Sequence, residues 1–146
     1  MTKAEKARNM FTASHNCAQS VAAQFAGEAG IDADAVCRAA CAFGAGGGRK
    51  QLTCGAVSGG LLALSLVKGR GLEGVKEDQE KSYALARAFI DRFEEKFGTA
   101  QCRALLDGTD LMTEEGQTRF RTERLGEKCA LFVEESTKMV EELLSE

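Results

Sequence analysis

The chain has six cysteines in 146 residues, and their positions raise the question of what the sulfur does. They are Cys17, Cys37, Cys41, Cys54, Cys102 and Cys129. No C-x-x-C pair occurs, which argues against a thioredoxin-type dithiol and against a zinc finger. Because the cysteines are far apart in the sequence, any site that they share must be assembled by the fold.

Four of the cysteines stand where the sequence predicts the start of a helix. Each follows a residue that can cap a helix: Ser14 before Cys17, Thr53 before Cys54, Thr99 before Cys102 and, as a weaker case, Gly126 before Cys129. Free amide groups and the positive end of the helix dipole stabilise a thiolate there and lower the cysteine pKa. This placement predicts a metal site or a redox-active pair of thiols.

Cys54 is followed by unusually small residues, in the stretch QLTCGAVSGGLLAL. Glycine inside a helix costs about 1 kcal/mol relative to alanine, so a helix selected only for stability would not contain it. We expect the backbone of Gly55, Ala56 and Gly59 to contact a cofactor, with amide groups available to cluster sulfides. Close packing of a second helix is the alternative interpretation.

Cys37 and Cys41 lie one helical turn apart in the segment AVCRAACAF, whose only charged residue is Arg38. This composition predicts a mostly buried helix in which both cysteines act as small hydrophobic residues. The alternative is an auxiliary pair that supplies an extra ligand or resolves a disulfide.

The sequence predicts an all-α fold, since it has no proline and few β-branched runs. We expect one domain over residues 1–146, an antiparallel bundle of about six to eight helices. The predicted helices cover residues 2–13, 15–29, 32–43, 53–67, 75–97 and 100–106, with a final helix through Cys129. The fifth carries a stripe of Tyr83, Ala86, Ile90, Phe93 and Phe97, and the last a face of Cys129, Val133, Ser136, Val140 and Leu143. Residues 44–48 are predicted to form a flexible or left-handed loop, and residues 108–116 an exposed connection.

Composition excludes several classes of function. Hydrophobic residues make up 44% and charged residues 28%, with a formal net charge of −3, so we expect no nucleic-acid binding. The basic stretches at residues 49–50 and 119–124 are interpreted as solvated surface. The longest apolar run, residues 61–67, is too short to cross a bilayer, which predicts no membrane insertion. The N-terminus lacks the apolar core of a signal peptide, so we predict a cytoplasmic protein with reduced thiols.

The segment Cys54-Gly55-Ala56-Val57-Ser58-Gly59 matches the CGAxxG motif of the C_GCAxxG_C_C family of redox-active proteins. Three further segments resemble that family in the same order: Asn16 to Val21, the glycine-rich stretch from Ala42 to Gly48, and Phe97 to Leu106. Lys128-Cys129 stands where the fourth cysteine of the family belongs. The resemblance implies a small helical redox-active protein whose four family cysteines are Cys17, Cys54, Cys102 and Cys129.

Three functions remain open at this point. The leading hypothesis is an iron–sulfur cluster held by Cys17, Cys54, Cys102 and Cys129, used for electron transfer or redox sensing with an unidentified redox partner protein. The second is a metal-free thiol/disulfide protein in which Cys54 attacks and Cys17 is its partner. The third is a structural zinc protein or a plain interaction protein without redox chemistry. The oligomeric state is open, with a homodimer as one option.

Overall fold

The structure, a computed structural model, describes residues 1–146 and contains helices and connecting turns but no β-strand. The helices are α1 (Lys3–Ala13), α2 (Cys17–Ala22), α3 (Ala33–Ala40), α4 (Gly55–Lys68), α5 (Lys76–Phe97), α6 (Cys102–Leu105), α7 (Glu114–Thr122) and α8 (Leu125–Ser145). A 3₁₀ turn (Ala23–Phe25) and a short α-helical turn (Ala26–Ala29) prolong α2, and a 3₁₀ turn (Cys41–Phe43) prolongs α3. The prediction of an all-α bundle is confirmed.

The main core forms around α4, which packs against α2, α5 and α8. Its largest fully buried side chains include Phe25, Leu64, Phe89 and Phe93. The predicted inner face of α8 is confirmed in the part that follows Cys129, since Val133, Ser136, Val140 and Leu143 are all buried. On α5 the predicted stripe is partly wrong, because Tyr83 is 52% exposed and Phe89 is buried instead. No helix of the structure is both long and apolar enough to traverse a bilayer.

Two glycines of α4 allow close helix packing. A Cβ atom on Gly59 would lie 2.6 Å from the carbonyl oxygen of Ala18, so α2 and α4 cross with their backbones nearly in contact. A Cβ atom on Gly60 would overlap the ring of Phe89 on α5. Burying that aromatic ring against bare backbone compensates for the low helix propensity of glycine.

The glycine-rich stretch forms a left-handed turn, one of the two forms predicted for it. The φ angles of five consecutive residues from Ala45 to Arg49 lie between 52° and 90°, a region that glycine adopts without strain. The residues that follow the turn hydrogen-bond back to it. Gln51 donates its N–H to the Ala45 carbonyl at 3.1 Å, and Leu52 donates its N–H to the Gly46 carbonyl at 2.9 Å. A Cβ atom on Gly46 would clash with the backbone of Gln51.

Two sequence predictions about exposure are wrong. In α3 only Val36 and Ala40 are buried, because one face of this short helix packs on α2 and the rest meets solvent. The connection after Gly108 is not simply exposed, since Thr109 and Leu111 are buried. Its last residues already belong to α7, which the sequence analysis missed.

Candidate functional site

Cys17, Cys54, Cys102 and Cys129 line a single cavity of about 130 Å³. They come from four different parts of the chain: the start of α2, the residue before α4, the start of α6 and the second turn of α8. On the same volume measure a single water molecule requires only about 10–15 Å³. The cavity therefore has room for a group of several atoms between the four sulfurs.

A single β-bridge sets Cys54 and Cys102 side by side. Thr53 and Gln101 pair in antiparallel fashion, immediately before the two cysteines. Cys54 donates its N–H to the Ala100 carbonyl at 2.7 Å, and Cys102 donates to the Leu52 carbonyl at 2.7 Å. These residues are 48 positions apart in the chain, so no local sequence pattern predicts the pairing.

The bridge also corrects the predicted caps of α4 and α6. Cys54 is itself the N-cap of α4, and α6 begins at Cys102, two residues later than predicted. Thr53 and Thr99 cap neither helix, because both belong to the extended segments around the bridge. Instead, Thr99 Oγ1 accepts a hydrogen bond from the Gln101 N–H at 3.1 Å.

Cys17 is the first residue of α2, because Asn16 and not Ser14 is the N-cap. The Asn16 side chain accepts from the Gln19 N–H at 2.9 Å, and Gln19 Oε1 accepts from the Asn16 N–H at 3.3 Å. This reciprocal capping box fixes the first turn of α2. It leaves the Cys17 sulfur against α4, where a Cβ atom on Gly55 would overlap Sγ.

Cys129 does not lie in the first turn of its helix. α8 begins at Leu125, so Gly126 is inside the helix and the weaker of the predicted capping patterns is wrong. Cys129 is half-buried, whereas the other three cavity cysteines are buried. The helix dipole therefore favours a thiolate less at Cys129 than at a helix start.

The remaining wall of the cavity is almost entirely apolar. It consists of seven apolar residues with Gly55 and Asn16: Phe11, Ala45, Leu105, Leu106, Leu111, Phe120 and Phe132. No charged side chain and no histidine lines it. Phe120 lies in the stretch 119–124, which was interpreted as solvated surface. It is the one aromatic residue among the charged residues of that stretch, and this contrast could have indicated that its side chain is directed toward the core. Any ligand of the cavity would meet thiols and hydrocarbon.

Burial raises the pKa of all four cavity thiols, which corrects the prediction of stabilised thiolates. Loss of solvent is the main cause in each case, and it raises the pKa of Cys102 to about 11 and that of Cys129 to about 12. The pKa of Cys17 and that of Cys54 are also raised. A negative charge on Cys17 would further raise the pKa of Cys54, Cys102 and Cys129, so Cys17 is the member that interacts with all the others.

Backbone amides partly offset this burial. The amides of Ala45, Ala18 and Gly55 act on Cys17 and lower its pKa, and those of Ala56 and Val57 do the same for Cys54. Amide donors of this kind stabilise anionic sulfur and tune metal sites in which it is a ligand.

Of the three residues predicted to contact a cofactor, only one lines the cavity. Gly55 lines the cavity, whereas Ala56 is buried behind it and directs its amide toward Cys54. Gly59 is not among the lining residues and packs against Ala18. The predicted cofactor contacts and metal-ligand roles of these residues and of the cysteines stay predictions.

Gln51 is a site residue that the sequence analysis missed. Its side chain is buried and makes two hydrogen bonds to the backbone. Its amide group donates to the Thr109 carbonyl at 2.7 Å and accepts from the Leu111 N–H at 2.8 Å. The Gln51 side chain also lowers the pKa of Cys102, against the larger effect of burial. Gln51 thereby joins the segment before α4 to the loop from Thr109 to Leu111, which closes one side of the cavity with the Leu111 side chain.

As arranged, no three His, Cys, Asp or Glu side chains converge closely enough to hold one metal ion. A structural zinc requires four ligands, with sulfur at about 2.3 Å from the metal. The four sulfurs instead line the wall of one cavity. Four cysteines without other donors match the ligand set of a thiolate-ligated metal centre.

The other two cysteines lie outside the cavity. Cys41 is exposed and Cys37 is half-buried, so the interpretation of both as core residues is wrong. His15 is exposed as well, and its ring contacts Ser14 at 3.3 Å rather than a cysteine.

Comparison with known proteins adds one finding. A family model described as "Putative redox-active protein (C_GCAxxG_C_C)" matches residues 15–143. The chain belongs to the C_GCAxxG_C_C family. The match spans α2 to α8, and all four cavity cysteines of this family member lie within it. No curated protein and no solved structure matches the chain.

Proposed function

We propose that this member of the C_GCAxxG_C_C family holds an iron–sulfur cluster and uses it for electron transfer or redox sensing. The observation that supports the proposal is the presence of four cysteines around one apolar cavity that has no other metal-binding side chain. Cys17, Cys54, Cys102 and Cys129 would be the ligands. When bound, such a cluster supplies one-electron transfer at a potential set by its surroundings.

The raised pKa of the free thiols does not oppose this role. A metal deprotonates a coordinating thiol outright, so the thiol protons are released when the metal binds. The amides that face Cys17 and Cys54 would then donate to thiolate ligands instead of neutral thiols. The rings of Phe11, Phe120 and Phe132 would exclude water from the cluster.

A metal-free thiol/disulfide protein is the second candidate. It is favoured because no three potential ligands converge on a single-ion site and because Cys17 and Cys54 line the same cavity. Against it, a thiol with a raised pKa has little thiolate at neutral pH and is a slow nucleophile. We therefore rank it second, with Cys54 and Cys17 as its redox pair.

Iron and sulfide analysis tests the proposal. The full chain would be purified and reconstituted under anaerobic conditions as wild type, as Cys54→Ala and as Cys41→Ala, the last being the control at an exposed cysteine. We expect wild type and C41A to bind iron and sulfide in equal amounts and C54A to lose most of both. A wild-type protein that binds neither would refute the proposal.

Two other outcomes would identify the alternatives. A Cys17–Cys54 disulfide found by mass spectrometry in oxidised, iron-free protein would establish the second candidate. Zinc bound without iron, together with unfolding on chelation, would establish a structural zinc site. We also expect a reducing compartment such as the cytoplasm, and an electron-transfer partner that docks near the cavity.

A further inference from the structure

Cys37 and Cys41 form a second pair of thiols, outside the cavity. Cys37 lies in α3, and Cys41 follows it by four residues. Cys41 has φ −54° and ψ −47°, so the backbone between the two cysteines is continuously right-handed helical. Residues four apart on a helix project from the same face. Burial raises the pKa of Cys37, and negative charge on Asp34 and on Cys41 raises it further, so both groups lie near the Cys37 sulfur.

The backbone that carries this pair is held in place from α2. Gln19 Nε2 donates to the Cys37 carbonyl at 3.0 Å, and Asn16 Nδ2 donates to the Cys41 carbonyl at 2.9 Å. Gln19 and Asn16 are themselves fixed by their capping box. Tertiary hydrogen bonds from α2 therefore fix the spacing of the two cysteines, in addition to the hydrogen bonds within α3.

This spacing does not suit a disulfide. Side chains four residues apart have Cβ atoms about 5–6 Å apart, whereas a disulfide requires about 3.8 Å. Nor does it suit zinc, because no third donor completes the site and the nearby Asp34 carboxylate is paired with Arg38 at 2.9 Å. A ligand that fits must be soft and must accept two thiolates, which is the preference of Cu(I) among the common metal ions.

We propose that Cys37 and Cys41 form a surface site that holds one Cu(I) ion between their two sulfur atoms. Binding releases the two thiol protons to solvent and changes no oxidation state. The site is independent of the proposed cluster, because neither cysteine lines the cavity.

Anaerobic competition for Cu(I) against the chelator bicinchoninate tests this site in the full chain. The variants are Cys41→Ser and the double variant Ala39→Cys/Cys41→Ser. The second keeps two thiols on α3 but places them two residues apart, where they do not face each other. Both variants should bind Cu(I) about 100-fold more weakly at this site, because Cys41→Ser removes one of the two linked ligands and the double variant keeps two thiols that cannot bind the ion together.

Alkylation by iodoacetamide with mass spectrometry gives the second readout. One equivalent of Cu(I) should protect Cys37 and Cys41 of the wild-type chain, and leave Cys37 unprotected in both variants. Copper that protects neither residue, or that binds the double variant as tightly as wild type, would overturn the proposal. Loss of cluster binding in the iron analysis would leave this result unchanged, so the two proposals fail separately.

Discussion

The α-carbon of Gly55 lies directly against the sulfur of Cys17, so that a Cβ atom at position 55 would overlap Sγ. This contact links the first turns of α2 and α4 at the wall of the cavity. It explains why the residue after Cys54 is glycine, although a glycine at a helix start adds nothing to stability compared with better helix formers.

Substituting Gly55→Ala should displace Cys17 and disturb the site. We expect the free energy of unfolding to fall by about 1–3 kcal/mol, as for an overpacked core, and reconstituted iron to fall with it. Urea denaturation and iron analysis measure the two effects. The matched control is Gly27→Ala, where a Cβ atom meets nothing within 4 Å, and which should be neutral or slightly stabilising. A G55A protein with wild-type iron content would contradict the role given to this contact.

Substituting Gln51→Leu should loosen the loop that closes the cavity. The Thr109 carbonyl and the Leu111 N–H would lose their partner while remaining buried. We expect a destabilisation of about 2 kcal/mol or more, since each unsatisfied buried group costs about 1–3 kcal/mol. Faster alkylation of Cys102 in the metal-free protein should accompany it.

The control for this substitution is Gln79→Leu, because Gln79 makes only an exposed hydrogen bond with Arg70. That variant should keep the stability of wild type within about 0.5 kcal/mol. If Q51L unfolded at the same urea concentration as Q79L, Gln51 would not hold the loop.

The metal-free protein should lose stability as the pH rises above about 9. Folded Cys102 and Cys129 keep their protons up to a pKa of about 11 and about 12, whereas the unfolded chain releases them near pH 9. Between these values the unfolded state binds fewer protons, so the free energy of unfolding decreases by up to about 1.4 kcal/mol per pH unit for each such thiol.

Urea unfolding from pH 7 to 11 measures this dependence. Lysines and Tyr83 also titrate in that range, so the comparison is with Cys102→Ala, which should show a shallower decrease. Equal slopes for the two proteins would mean that the Cys102 thiol is not held neutral by the fold.

Much of the fold could be predicted from the sequence because it is encoded locally. The inner face of α8 follows from regular helical spacing, and the left-handed turn from a run of glycines. The helix starts were harder to predict, since Ser14 and Asn16 can both cap a helix near Cys17 and only tertiary contacts select between them. In the structure Asn16 caps α2, and its amide also donates to the Cys41 carbonyl.

The site itself could be predicted only in part. Helix starts and the family resemblance indicated the four cysteines that line the cavity. The bridge between Thr53 and Gln101, and the reach of Gln51 to Thr109, join residues about 50 positions apart and leave no local trace. The predicted low thiol pKa was wrong because the dipole of a helix start was considered without the loss of solvent.

The visible absorption spectrum of the anaerobically reconstituted protein, recorded before and after addition of dithionite, tests the central claim most directly. A cluster held by the four cavity cysteines predicts a coloured protein whose charge-transfer bands bleach on reduction, and the same spectrum in the Cys41→Ala control. A colourless protein with no change on adding dithionite would contradict the account.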